Sequence, residues 1–270
     1  MEDPQKQEGE PSSIHGTTRR MRYFRLLVLA AIPACVGLDF DEGGGSLGLD
    51  PNSLNILFIG NSLTFTNDLP NMVGALIDSA GHGPVDVRWE TNANFGLEDH
   101  WFGGEVRPLI LAGGWDFVIM QQGPSATEGR PSLLEYAKRF GEIIREGGAE
   151  PALYMVWPAD DRPFDWDGVR DSYSMAADSA LGLFLPAGEG WRVAWESDST
   201  LPFYSADGFH PTVLGTYLAA LVIFEQLTGE TPVGLPNEFR LASGPLVIIT
   251  PARAVVLQNA AHEVNRRESQ

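Results

Sequence analysis

The stretch Asn55-Ile56-Leu57-Phe58-Ile59-Gly60-Asn61-Ser62-Leu63-Thr64 decides the fold. Ile56 to Ile59 form a continuous apolar run that Gly60-Asn61 closes, too short for a helix, so the run reads as a strand buried on both faces. The same alternation recurs along the chain. Strands are expected over 55–60, 85–90, 116–121, 152–157 and 192–195, and helices over 70–80, 105–112, 132–146, 169–185, 211–228 and 251–266. Buried strands each followed by a helix imply an α/β, doubly wound sandwich with a mostly parallel sheet of about five strands. In such sheets sites form beyond the carboxyl ends of the strands, where Asn61-Ser62 falls.

With 270 residues, 43% of them hydrophobic, and no internal repeat, the chain can bury the core of one catalytic-size domain. Its formal charge of -18 repels phosphate backbones, which excludes nucleic-acid binding driven by phosphate neutralisation. Arg19, Arg20, Arg22 and Arg25 precede an apolar run over 26–34 that is interrupted by Pro33 and too short to span a bilayer. This is the order of a signal peptide, so 1–34 is expected to be an N-terminal extension and signal peptide, with Met21 as an alternative start. Export to the periplasm or cell surface follows. Cys35, the only cysteine, closes Ile32-Pro33-Ala34-Cys35, which resembles a bacterial lipobox; lipidation there would attach the protein to a membrane. The alternative is a chance cysteine in an ordinary signal peptide. The Gly- and Asp-rich segment 35–53 reads as a flexible linker, and 54–270 as the folded domain.

A serine at a strand-to-helix turn presents its hydroxyl at the sheet's edge, beside backbone N–H groups able to face an oxyanion. As a nucleophile it needs a base within hydrogen-bond reach, and the base needs a third group to hold its tautomer. Both are available in Asp207-Gly208-Phe209-His210-Pro211, where Pro211 suits the first position of the following helix. Taken singly, the two segments also read as a plain turn and a helix-capping loop.

Gly60-Asn61-Ser62-Leu63 resembles the Gly-Asp-Ser-Leu block of the SGNH/GDSL hydrolases, and Asp207 to Pro211 resembles their terminal Asp-x-x-His-Pro block. The resemblance spans residues 54 to about 230 in motif order. It implies a flavodoxin-like three-layer α/β/α sandwich, a Ser62–His210–Asp207 triad, and ester hydrolysis, often of acetyl groups on carbohydrates, with no metal or other cofactor. It also implies an oxyanion hole built by the Ser62 N–H and two further blocks. In the second block Gly96 takes the glycine's place, while an alignment on Leu97 and His100 puts Asn94 there instead. In the third, Gln122-Gly123-Pro124-Ser125 resembles the Gln-Gly-Glu-Ser run of some carbohydrate acetylesterases, which assigns Gln122 as donor and leaves Gln121 and Ser125 as alternatives.

His100 and Trp157 are candidates for the substrate pocket, His100 reading equally as a helix-start residue. Trp157, Asp160, Asp161, Trp166 and Asp167 together suit a sugar ring and its hydroxyls, or simply pack a long loop. The helix over 251–266 is expected to pack on the sheet through Ala254, Val255, Leu257, Ala260, Ala261 and Val264. The expectation is a serine esterase of small acyl esters, O-acetylated carbohydrates foremost, with a small-molecule or glycan ester as its partner. A non-catalytic glycan-binding lipoprotein on the same fold is the alternative. A metal-dependent phosphohydrolase lacks a ligand set, because Glu98-Asp99-His100 has no recognised metal spacing.

Overall fold

The computed structural model describes residues 47–269, so the signal-peptide, Met21 and lipidated-Cys35 readings, and the linker up to residue 46, lie outside the described residues. Five strands, β1 Leu54–Gly60, β2 Val85–Thr91, β3 Phe117–Met120, β4 Glu150–Tyr154 and β5 Leu183–Leu185, form one parallel sheet ordered β2-β1-β3-β4-β5. Ile56, Leu57, Phe58 and Ile59 are wholly buried between the helix layers, as their unbroken apolar run requires. The chain leaves β1 to one side for β2 and then crosses back to β3. This reversal opens a crevice at the carboxyl end of β1, where ligands bind in open α/β sheets.

Helices α1 Ser62–Phe65, α2 Leu69–Ser79, α3 Leu97–Gly103, α4 Val106–Leu111, α5 Arg130–Glu146, α6 Trp166–Ala180, α7 Ala187–Ser197, α8 Val213–Thr228 and α9 Pro251–Glu268 complete the layers. From α3 to α6 they pack on one another as one group, while α2, α7, α8 and α9 pack around α8 as another. Helix α8 is apolar all round, and nearly every residue from Leu214 to Phe224 is buried. Among the described residues no helix is long and apolar enough to cross a membrane.

Five expectations from the sequence are corrected. Residues 192–195 are not a strand but lie within α7; the fifth strand is Leu183–Leu185, which the sequence places at the tail of a helix. Leu181 adopts a left-handed backbone (φ 52°) that ends α6, and a Cβ on Gly182 would lie 2.3 Å from the Pro151 carbonyl oxygen, so the chain turns there to join the sheet. Pro211 does not begin α8: Thr212 caps it, its hydroxyl accepting from Gly215 N–H at 3.3 Å, and Pro211 stays extended in a bridge with Tyr204. Helix α9 packs on α7 and α8 rather than on the sheet, with Val255 exposed. The end of the linker is not loose, because Leu47 and Leu49 pack against the core. A short antiparallel hairpin, β6 Glu238–Arg240 and β7 Leu246–Ile248, has no counterpart in the sequence reading.

Candidate active site

The turn after β1 is held by a buried polar network. Asn61 caps α1, its Oδ1 accepting from Leu63 N–H at 3.1 Å, while its Nδ2 donates to the Phe95 carbonyl at 2.9 Å. An aspartate, the residue this block more often carries, could make the first bond but not the second. Gln121, at the end of β3, accepts from Asn61 N–H at 3.0 Å and from the Thr64 hydroxyl at 2.7 Å, and donates to Asn61 Oδ1 at 3.0 Å. Thr64 and Gln121 close so tightly over Gly60 that a Cβ there would lie 2.3 Å from Thr64 Oγ1. The glycine therefore reflects close approach; the expected alternative role of Gln121 as an oxyanion donor does not fit, since its amide holds the turn. Behind it His100, 2% exposed, donates Nε2–H to the Gly60 carbonyl at 2.8 Å, and burial lowers its pKa below the ordinary histidine value. It lies beneath the site in the first turn of α3, as the helix-start reading has it, and does not line the cleft.

The second half of the site comes from 148 residues away. His210 Nε2 stands 2.9 Å from Ser62 Oγ, and His210 Nδ1 stands 2.6 Å from Asp207 Oδ2. Asp207 Oδ1 also accepts from the N–H groups of Phe209 and His210, at 2.9 and 3.0 Å. These bonds, that to the imidazole first, hold the Asp207 carboxyl down at about 2. The ionised carboxylate keeps the proton on Nδ1 and leaves Nε2 free to accept from the Ser62 hydroxyl. The loop is braced from behind: Trp157 Nε1 donates to the Phe209 carbonyl at 3.0 Å, and Asp160 N–H to that of Gly208 at 2.8 Å. Trp157 is thus not a pocket residue. It is fully buried and stacked on Trp191, centroids 3.6 Å apart, while Trp166 packs edge-on against Trp195 and Asp167 pairs with Arg192; the expected sugar-binding cluster does not converge.

A cleft of about 300 Å³ opens over Ser62, lined by Asn94, Phe95, Gly96, Gln122, Gly123 and Phe209 among others. Not all of its lining can serve an oxyanion. Gly96 N–H donates to Asp99 Oδ2 at 2.8 Å, and its φ of -94° makes it an ordinary cap of α3. Both amide protons of Gln122 are engaged, by Ser125 Oγ at 2.8 Å and the Gly129 carbonyl at 3.3 Å, while its Oε1 accepts from Leu97 N–H at 3.1 Å. Ser125 donates to the Gly123 carbonyl at 2.9 Å. The Gly96 N–H and the side chains of Gln122 and Ser125 therefore offer no spare donor. Asn94 has the left-handed backbone (φ 64°) that a glycine would supply, which favours the alignment on Leu97 and His100. Among the described residues the N–H groups of Ser62, Asn94 and Gly123 have no intramolecular acceptor. The Gly123 N–H, which the sequence reading passed over, is visible only from which amides the fold leaves open.

Through Gly123 and Phe209 the cleft adjoins a second cavity of about 290 Å³ walled by Pro124, Ala126, Pro158 and Ala159, with Arg162 among its lining residues. A larger cavity, about 890 Å³, lies between α2, β2 and the hairpin, but it contains no nucleophile with a base beside it. Among the described residues there is no group of three or more His, Cys, Asp or Glu placed to hold a metal ion.

No family model and no curated protein matches this sequence. Solved structures do match in fold. A protein from Slackia heliotrinireducens assigned to the SGNH hydrolases aligns with a TM-score of 0.57 at 24% identity, over 65% of this chain and 99% of its own. A DUF4886 family protein from Bacteroides uniformis aligns at 0.60 and 18% identity, over 81% and 96%. A carbohydrate esterase family 3 protein from Talaromyces cellulolyticus aligns at 0.51 and 13%, over 65% and 97%. The chain has the three-layer α/β/α fold of the SGNH hydrolases.

Proposed function

We propose that the protein is a serine-dependent hydrolase of small acyl esters, with O-acetyl groups on carbohydrates as its substrates, exported and attached to a membrane through Cys35. The observation that carries the catalytic reading is the continuous hydrogen-bonded line from Asp207 Oδ2 through His210 to Ser62 Oγ. A binding module would have no use for a base aligned on a serine at the mouth of a cleft. Similarity in fold to a carbohydrate esterase and to an acetyl esterase supports the choice of substrate.

In this mechanism His210 Nε2 takes the Ser62 proton as Oγ attacks the ester carbonyl carbon. The N–H groups of Ser62 and Asn94, with that of Gly123 beside them, receive the oxyanion. Asp207 holds the resulting imidazolium, which protonates the departing alcohol as the carbonyl re-forms. Water then attacks the acyl-serine with His210 as base, releasing the acid and restoring Ser62. Release of p-nitrophenol from acetyl and butyryl esters tests the reading. Ser62→Ala and His210→Ala are each expected to lower turnover by about 10⁴-fold or more, with EDTA without effect. A folded protein with no turnover and no labelling by a fluorophosphonate would leave a non-catalytic glycan-binding protein in its place.

A further inference from the structure

The two halves of the candidate site are joined at a second point. Asn67, five residues after Ser62, sits in a left-handed backbone conformation (φ 56°), and so does Asp68 after it (φ 59°). Two successive non-glycine residues in this region are unusual, and such strain persists only where the surroundings enforce it. What the conformation achieves is visible in the Asn67 carboxamide. Its Nδ2 donates to the Pro211 carbonyl and to Thr216 Oγ1, both at 2.9 Å. Pro211 directly follows His210, and Thr216, 1% exposed, lies in the first turns of α8 and passes its own proton to the Thr212 carbonyl at 3.2 Å. The Pro211 carbonyl is also held by the Ser205 hydroxyl at 3.1 Å, at the other end of the loop. Among the described residues, the segment 62–68 and the loop 204–212 share two hydrogen bonds, Ser62–His210 and Asn67–Pro211. Asp68 pins the strained pair from its far side, accepting from Asn71 Nδ2 at 2.9 Å and from the Ser243 hydroxyl.

We propose that Asn67 is a positioning residue: it fixes the peptide after His210 against the serine turn and so sets the distance between His210 Nε2 and Ser62 Oγ. This rests on the reading of those two residues as base and nucleophile. Without the clamp the exposed loop is tied to the nucleophile only through the reacting groups themselves, and a displacement of about 1 Å costs on the order of 10²-fold in rate.

Asn67→Gly separates positioning from folding, because glycine adopts the left-handed backbone without strain while the carboxamide is removed. Its expected kcat for p-nitrophenyl acetate is 10- to 100-fold lower, with KM and Tm unchanged and fluorophosphonate labelling of Ser62 slowed by the same factor. In its crystal structure the Ser62–His210 contact is expected to lengthen. Asn67→Asp, which turns a carboxylate towards the Pro211 carbonyl, should be no better. Asn265→Ala is the structural control: it removes the bond from α9 to the Val222 carbonyl of α8, away from the site, and is expected to lower Tm but not kcat. An Asn67→Gly protein with undiminished kcat, or one whose kcat falls only together with Tm as in a general loss of structure, would overturn the proposal. A parent protein that neither turns over esters nor takes the label would instead overturn the esterase reading, and the crystallographic distance would still decide whether Asn67 positions His210.

Discussion

The turn that carries Ser62 and the loop that carries His210 meet at 2.9 Å but are built in opposite ways. Around Ser62 the supporting groups are buried: Asn61, Thr64, Gln121 and His100 are each at most 6% exposed, and their hydrogen bonds close on one another. The His210 loop lies at the surface, with half of the Asp207 side chain in solvent, and is tied down by short-range bonds and by two braces from the exit of β4. Ser62, just beyond the end of a central strand, inherits the rigidity of the core. His210, reached from a distant part of the chain, must be positioned locally and can be displaced without unfolding the domain.

Changes on the two sides should therefore fail differently. The largest effect is expected in Asp207→Asn, which removes the carboxylate that fixes the His210 tautomer: kcat should fall by about 10⁴-fold. Tm should barely move, because the residue is exposed. Esterase kinetics and thermal melts on the same sample would check this, and a large loss of stability would mean that the loop is part of the core after all. On the serine side Gln121→Leu leaves the Asn61 N–H and the Thr64 hydroxyl buried without partners. A loss of about 3 kcal/mol is expected, or roughly 6–12 °C in Tm for a domain of this size; denaturant unfolding would measure it, and near-normal stability would break the contrast.

The smallest effect concerns pH. Burial lowers the His100 pKa in the folded protein, so from about 6.5 down to that lowered value the unfolded chain binds a proton that the folded protein does not. Stability should therefore decline as pH falls through this range, by at most ~1.4 kcal/mol per pH unit from this group. His100→Gln keeps a donor near the Gly60 carbonyl and does not titrate, so its stability between pH 7 and 5 should fall less steeply than the parent's. Equal slopes in unfolding experiments would remove His100 from the account.

Helix α7 shows where pattern reading fails. Trp191, Val193 and Trp195 alternate like a strand, yet Trp191 and Trp195 stand four apart on one helical face and pack edge-on with centroids 6.0 Å apart. Gly188 and Gly190 let that helix approach closely: a Cβ on Gly188 would lie 2.4 Å from the Val156 carbonyl oxygen, and one on Gly190 3.0 Å from Val222. Neither neighbour is near in sequence. By contrast β1, the next three strands along the chain, and the Asp207-x-x-His210 spacing are written in local pattern and were legible.

By itself the sequence determined the layered α/β fold, the strand that ends just before Ser62, and the three residues of the hydrogen-bonded line, because apolar runs, turn residues and short motifs are local properties of a chain. Only the tertiary structure decided which donors remain open to an oxyanion. Gly96, Gln121 and Gln122 all carry suitable N–H groups, and each is occupied by a partner that folding brings to it: the Asp99 side chain beside Gly96, Asn61 at the exit of the neighbouring strand beside Gln121, and Ser125 with Gly129 around Gln122. A donor's availability depends on every acceptor within about 3 Å, and for Gln121, whose partner lies 60 residues away, no local pattern holds that information.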